Sequence, residues 1–304
     1  MVRDYHTAKR LSKVGASSVS KVRIVTDSDA SIPADVLDKY SIEVIPQVLR
    51  VGRDRYEDTE DFNADRLFQL IRENQSGGRI LLPDVEAPEL SRLMEVYQKL
   101  GQDAEEIVAI HMSSTLSPMW SQSRKAADMM MGRYRIRVMD SQTTSMGLGM
   151  LAELAGQAAE DGADLYEVAR IVNGAIPHIY VTFFAETLYY LERSARLGAA
   201  QSVLGTMLGI KAMVTMEDGQ LIPLEKVQTR EDVAEKLYDY TAEFAQNERI
   251  GLVQHRYEQT QEHLLERLGE GLPDISANVW RYPPSLAAHL GPNVMGVIVY
   301  EGLG

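Results

Sequence analysis

Short apolar runs that empty into hydroxyl and carboxylate residues ahead of a helical period recur three times in the first half of the chain. The run 22–26 passes into Asp27, Ser28 and Asp29 before Ser31 and Pro33 open a helix. The run 107–110 stops at His111 and continues through Ser113, Ser114, Thr115 and Leu116, with Pro118 suited to a first helical position and Ser117 to the cap before it. The run 135–139 ends in Asp140-Ser141-Gln142-Thr143-Thr144-Ser145 and then Met146-Gly147-Leu148-Gly149. Strands alternating with helices predict a parallel sheet, and ligands of such sheets collect outside the carboxyl ends of the strands. The same residues also suit helix capping, so for each cluster a binding and a capping reading stand side by side.

Between these clusters, 42–51 reads as a second strand interrupted by Pro46, and Asn63 as the cap of a helix with Leu67, Leu70 and Ile71 on one face. Apolar 80–83 leads through Glu86 and Pro88 into a helix reaching Leu100. From about Asp164 the character changes. A helix to Gly174 precedes a strand at 180–184 and a helical segment at 189–193. Apolar runs at 208–216 and 221–227 flank Asp218-Gly219, a hairpin signal and hence an antiparallel pairing. A helix over 230–245 places Val233, Leu237, Tyr240 and Phe244 on one face, and strands at 250–253, 275–280 and 294–300 complete the pattern. The expected organisation is a basic, serine-rich extension (1–21), a parallel-sheet, Rossmann-like α/β domain (22–163) and a mixed-sheet α/β domain (164–304), packed closely with a cleft between them.

A length of 304 residues fits two domains, and 45% hydrophobic residues suffice for substantial cores. The net charge of −13 argues against a broad nucleic-acid surface. With no cysteine there is no disulfide, thiol nucleophile or Cys-based metal site, and the six histidines lack metal-ligand spacing. No apolar run reaches membrane-spanning length and no signal-peptide core precedes residue 22, so a cytoplasmic protein is expected. The GLG at 147–149 lacks the third glycine of the dinucleotide fingerprint, and neither a Walker A nor a GxSxG sequence occurs. Gly147 and Gly149 therefore serve close packing or the close approach of a ligand.

Hydroxyls and backbone donors are plentiful in the clusters, while activated bases are few. His111 is a base candidate by proximity, yet it ends an apolar strand, where a satisfied half-buried histidine is the plainer reading. Asp27, Asp29 and Asp140 have the chemistry to bind Mg²⁺ with a phosphate, or to cap helices. What the clusters suit best is a carboxylate held by neutral hydrogen bonds in an otherwise apolar site.

The ordered succession IVTDSDASIP, VIPQVLRVGRDRYED, IVAIHMSSTLS, VMDSQTTSMGLG, LYYLERSARLG with LGTMLGIKAMV, DGQLIPLEKVQT and HLGPNVMG resembles the DegV family from about residue 22 to the end. The resemblance implies a two-domain α/β fold that encloses a long-chain fatty acid between the sheet and helices of the first domain. It implies binding rather than catalysis, with no cofactor. The acyl carboxylate would be presented to a separate kinase subunit that makes an acyl phosphate, with transient membrane contact. Matched by motif, Ser114 is the expected carboxylate donor, with Ser113 close by; Thr115, Asp27, Ser28 and Ser145 join the candidate ligand-binding residues as members of the strand-end clusters. Gly147 and Gly149 match the small residues opening the next helix, His289 the histidine of the HTGPG loop, Arg196 the arginine of a GGR segment, and His255 a histidine after a later strand. Where the family has TSQP, this chain has Ile80, Leu81, Leu82 and Pro83, which removes a threonine donor and suits a less charged lipid head such as an ester or alcohol. SSTLSPMW stands for SSxLSGTY, SARL for GGRI and HLGPN for HTGPG, and Gln228 occupies the arginine position after EKV. Two rival readings remain: a small-acid hydrolase or transferase using Ser114 and a histidine, and a member that has lost its ligand, its cavity filled by Met119, Trp120 and Met146.

Overall fold

The computed structural model describes residues 22–75, 81–193 and 211–302, apart from 231, 245 and 276. The first half runs β1 (Val22–Asp27), α1 (Ala34–Tyr40), β2 (Glu43–Ile45), β3 (Val48–Val51), β4 (Asp54–Glu57), α2 (Ala64–Glu73), β5 (Asp84–Glu86), α3 (Leu90–Leu100), β6 (Glu106–His111), α4 (Met119–Met129), β7 (Arg135–Asp140), α5 (Ser145–Glu160) and α6 (Leu165–Ala175). The second runs β8 (Ile179–Ala185), α7 (Tyr189–Arg193), β9 (Ala212–Glu217), β10 (Gln220–Lys226), α8 (Asp232–Ala242), β11 (Asn247–His255), α9 (Glu258–Gly271), β12 (Ala277–Trp280), α10 (Pro284–Leu290) and β13 (Val294–Glu301).

The first sheet is wholly parallel, in the order β2-β1-β6-β7, with Ile24 opposite Val108 and Ile107 opposite Ile136. Such a sheet is covered on both faces, which is why β6 is buried along its whole length. One face packs Ile107 and Ala109 against Tyr97, Met119 and Ala126 of α3 and α4. On the other, Ile24, Val108 and Ile110 meet α5 and α6. Residues 42–51, expected as one strand, form two strands in different sheets. Pro46 lacks an N–H for a ladder, and beyond it β3 turns away to pair with β4 and β5 in a small antiparallel sheet.

The second sheet is mixed, in the order β10-β9-β8-β13-β11-β12, with β11 and β12 parallel and the other neighbours antiparallel. Asp218 and Gly219 make the expected hairpin turn, both with positive φ. Helices α8 and α9 close one face through Val233, Leu237, Leu264 and Leu268. The other face shares a single core with the first sheet, in which Val181, Phe183 and Ile298 join Leu148, Leu151 and Ala155. Helix α5 thus lies between the two sheets, and twelve of its sixteen residues are buried. A helix enclosed on every side has no use for a polar face, so MGLGMLAELAGQAA is apolar almost all round.

Candidate functional site

The strand ends read as polar clusters come together at the carboxyl edge of the first sheet. Asp27, closing β1, is buried and accepts from Asp29 N (3.1 Å) and Gln47 Nε2 (2.9 Å) on Oδ1. Its Oδ2 accepts from Met112 N (2.9 Å) and from His111 Nδ1 (3.1 Å). In the neutral ring this leaves His111 Nε2 to accept from Ser123 Oγ at 2.8 Å, while the Tyr97 hydroxyl donates in turn to Ser123. Burial pushes the Tyr97 phenol up to about 12. The sequence Asp27–His111–Ser123 has the connectivity of a hydrolytic triad, but all three residues are fully enclosed, so substrate cannot reach Ser123. His111 is the satisfied core histidine that its apolar strand suggests.

Two more carboxyls tie the halves of the chain together. Asp29 Oδ2 accepts from Ser145 N and Thr144 Oγ1, both at 2.7 Å, and Oδ1 accepts from Ser285 Oγ of α10 at 2.8 Å. Burial, reinforced by the neighbouring Asp27 charge, raises its pKa to about 7. Asp58 accepts from Ser28 Oγ (3.0 Å) and from Arg281 Nη2 (2.8 Å), and burial raises it also to about 7, with Arg281 opposing. Ser28 in turn accepts from Gln47 N at 3.0 Å.

The serine loop after β6 is engaged by the second sheet. Ser113 Oγ donates to Gly219 O at 2.6 Å and Thr115 Oγ1 donates to the same carbonyl, so the β9–β10 turn rests on the loop. A Cβ at residue 219 would lie 2.6 Å from Ser113 Oγ, and its φ is +78°; glycine is required on both counts. The Ser114 hydroxyl donates to Asp140, whose other oxygen accepts from Ser114 N and Gln142 N, both at 3.1 Å. Ser117 bonds sideways to Gln47 Oε1 (2.6 Å) and accepts from Met119 N (3.1 Å), while Pro118 itself is the residue before the helix. His289, buried on α10, donates from Nε2 to Leu116 O at 2.9 Å. His255 lies apart, bonded to Pro292 O and, at 3.0 Å, to Asp65.

The glycines of α5 are packing residues in this arrangement. A Cβ on Gly149 would stand 2.3 Å from the Ser31 carbonyl oxygen, and one on Gly147 2.5 Å from Thr143 Oγ1. Ser145, with φ of +53°, gives its N–H to Asp29 and sits 3.2 Å from the Ser31 hydroxyl. Beside this junction lie two cavities, of about 300 and 400 Å³, that share Ser31, Ile32 and Trp280. Gly149 lines the smaller and Ser28 the larger, whose walls include Leu37, Val44 and Pro46 with Asp58 and Arg281 at the polar side. Ser113, Ser114, Thr115, Asp27, Gly147 and His289 line neither. Arg196 and Ile80 lie outside the described residues.

Sequence reading overlooked Gln47, Gly219, Arg281 and Ser285, which complete the polar network. Asp218-Gly219 was legible as a turn, but its docking on Ser113 spans 106 positions and leaves no local trace. Among the described residues, no three His, Asp or Glu side chains form a group able to hold a metal ion, and no helix is long and apolar enough to cross a membrane. The oxygens of Asp140 are taken by Gln142 N of its own loop and by the N–H and hydroxyl of Ser114, so it braces two loops and caps no helix.

A family model described as an uncharacterised protein of the DegV family matches residues 21–302. A DegV domain-containing protein of Caldanaerobacter subterraneus subsp. tengcongensis is 29% identical over 287 residues, which cover 93% of this chain and all of that one. Among solved structures, a fatty-acid-binding DegV family protein from Thermus thermophilus superposes with a TM-score of 0.81 at 26% identity, covering 93% of this chain and 100% of that chain. A fatty-acid-binding DegV family protein from Streptococcus agalactiae, 19% identical, shares the fold at a TM-score of 0.82 over 93% of this chain and 99% of its own.

Proposed function

The chain belongs to the DegV family, and on that premise we propose that it binds a long-chain fatty acid in the cytoplasm and presents the acyl carboxylate to a separate kinase subunit. The observation that carries the reading is its likeness, over almost the whole chain, to the fatty-acid-binding protein of Thermus thermophilus. The local chemistry supports it. Ser113, Ser114 and Thr115 offer three hydroxyls on one loop, of which Ser113 is buried and Ser114 and Thr115 are half-buried. A carboxylate arriving there competes with the Gly219 carbonyl for Ser113 and Thr115 and with Asp140 for Ser114. Hydrogen bonds to an ionised acceptor are roughly twice as strong as neutral ones, so the ligand wins the first contest as the hairpin turn withdraws.

The chain acts as a carrier in this reading, not as a catalyst. The Ser114 hydroxyl donates to Asp140 rather than to an imidazole, so it lacks the Ser–His pairing that usually activates a serine nucleophile. A less charged lipid head is the second reading, favoured by Leu81 and half-buried Leu82 where the family's motif carries polar side chains. Native mass spectrometry of freshly purified protein, followed by extraction, tests both. A co-purifying fatty acid is the expected result; an ester or alcohol moves the assignment to the second reading. A protein that emerges empty and takes up no added fatty acid refutes the carrier function and leaves a member that has lost its ligand.

A further inference from the structure

The two cavities beside the Ser31–Ser145 junction, of about 300 and 400 Å³, are poorly suited to an ionised head group. Four acids, Asp58, Glu60, Glu153 and Glu248, stand in their walls against two cations, Arg249 and Arg281. Both cations are already matched: Arg281 Nη2 meets Asp58 at 2.8 Å and Arg249 Nη2 meets Glu153 at 3.3 Å. The remaining Glu60 and Glu248 are exposed, so a carboxylate is repelled there and a cation gains only a screened contact. Ser113, Ser114 and Thr115 reach neither cavity.

Apolar surface fills most of the rest. Leu37, Val44, Pro46 and Pro283 line the larger cavity, and Met146 and Met150 the smaller. The walls come from α1 and the loop after β1 on one side and from β11, β12 and the chain after β12 on the other, so an occupant is gripped by both halves of the molecule. Trp280 lines both cavities. Its ring lies close to β11, where a Cβ added to Gly251 would stand 3.1 Å from Trp280 Cδ1. The indole Nε1–H is enclosed and has no hydrogen-bond partner among the described residues. An unpaired buried donor costs about 1–3 kcal/mol, so turning this N–H toward an acceptor in either cavity gains a bond and breaks none.

We propose that the cavity pair is a second binding site, separate from the serine loop, for an uncharged aromatic ligand that carries a carbonyl oxygen. Trp280, Pro46 and Pro283 give the aromatic body flat surfaces to stack on, and the carbonyl accepts from Trp280 Nε1. The inference stands apart from the carrier reading, since it uses none of the three hydroxyls on which the fatty acid is placed.

The uncharged naphthyl ketone Prodan, whose emission shifts on leaving water, tests the site on the full chain with hexadecanoate present to occupy the acyl site. Saturable binding of Prodan is expected, and the anionic probe anilinonaphthalene sulfonate, of similar size, should bind about tenfold more weakly or worse. Val44→Phe fills part of the larger cavity and should lower the affinity for Prodan by about tenfold or more. Trp280→Phe keeps an aromatic wall but removes the N–H, and should lower it about threefold to tenfold, the worth of one hydrogen bond. Urea midpoints near that of the wild type establish that the variants fold. Unchanged affinity in both folded variants overturns the proposal, as does sulfonate binding as tight as that of Prodan. Displacement of Prodan in proportion to added hexadecanoate also overturns it, by making the cavities part of the acyl site. The sulfonate comparison and the hexadecanoate competition are read on the wild-type chain, so they decide the matter even where a variant fails to fold.

Discussion

Replacing Asp29 by asparagine should flatten the pH dependence of stability. Asp29 is fully buried, bridges α5 and α10, and has its pKa raised by burial from 3.8 to about 7. The folded chain therefore binds more protons than the unfolded one between those values, and the stability contributed by the protonated form is complete below about pH 4 and lost as pH rises through about 7. At 1.36 kcal/mol per pKa unit the full loss is about 4 kcal/mol, of which about 3 kcal/mol falls between pH 5 and 8. Asparagine reproduces the neutral form: its amide oxygen accepts from Ser145 N and Thr144 Oγ1, and its NH₂ donates to the Ser285 hydroxyl. Urea unfolding at pH 5, 6, 7 and 8 should show wild-type stability falling with pH, and the Asp29→Asn variant overtaking it toward pH 8. Asp58, also near 7, keeps a residual slope in the variant. Parallel curves for the two proteins would refute the assignment of a neutral, buried Asp29.

Three further outcomes follow from the geometry. Ser114→Ala should weaken fatty-acid retention by up to about tenfold, since the head group only replaces Asp140 on this hydroxyl, and should cost about 1 kcal/mol of stability through the lost bond to Asp140; unchanged retention by extraction would move the head group off this loop. Gly149→Ala places a Cβ 2.3 Å from the Ser31 carbonyl oxygen and should cost about 1–3 kcal/mol; a denaturation midpoint equal to wild type would contradict the close approach of α5 to that loop. Tyr97→Phe removes the donor to Ser123 and should cost about 1 kcal/mol, read by urea unfolding, while leaving ligand content intact; loss of ligand would bring the buried Asp27–His111–Ser123 chain into the binding site.

Local alternation of apolar runs with helical periods determined the parallel first sheet, its three polar strand ends and the Asp218-Gly219 hairpin, because strand and helix periodicity and turn chemistry act over a few residues. Asn63 as a helix cap was legible for the same reason, and Arg66 N does donate to its side chain at 2.9 Å. The ordered motifs also identified the family. Tertiary structure alone decided what the polar clusters do. Whether Ser113 awaits a ligand or holds a carbonyl depends on a turn 106 positions away, and the pKa of Asp29 on burial and on a hydroxyl from α10. The single apparent strand at 42–51 was divided between two sheets because Pro46 releases the chain and the Asp27 carboxylate captures Gln47. An apolar helix such as α5 announces its burial in its sequence, but only the meeting of two sheets around it fixes which glycines must stay small. Contacts of that kind depend on distance in space, which no local pattern encodes.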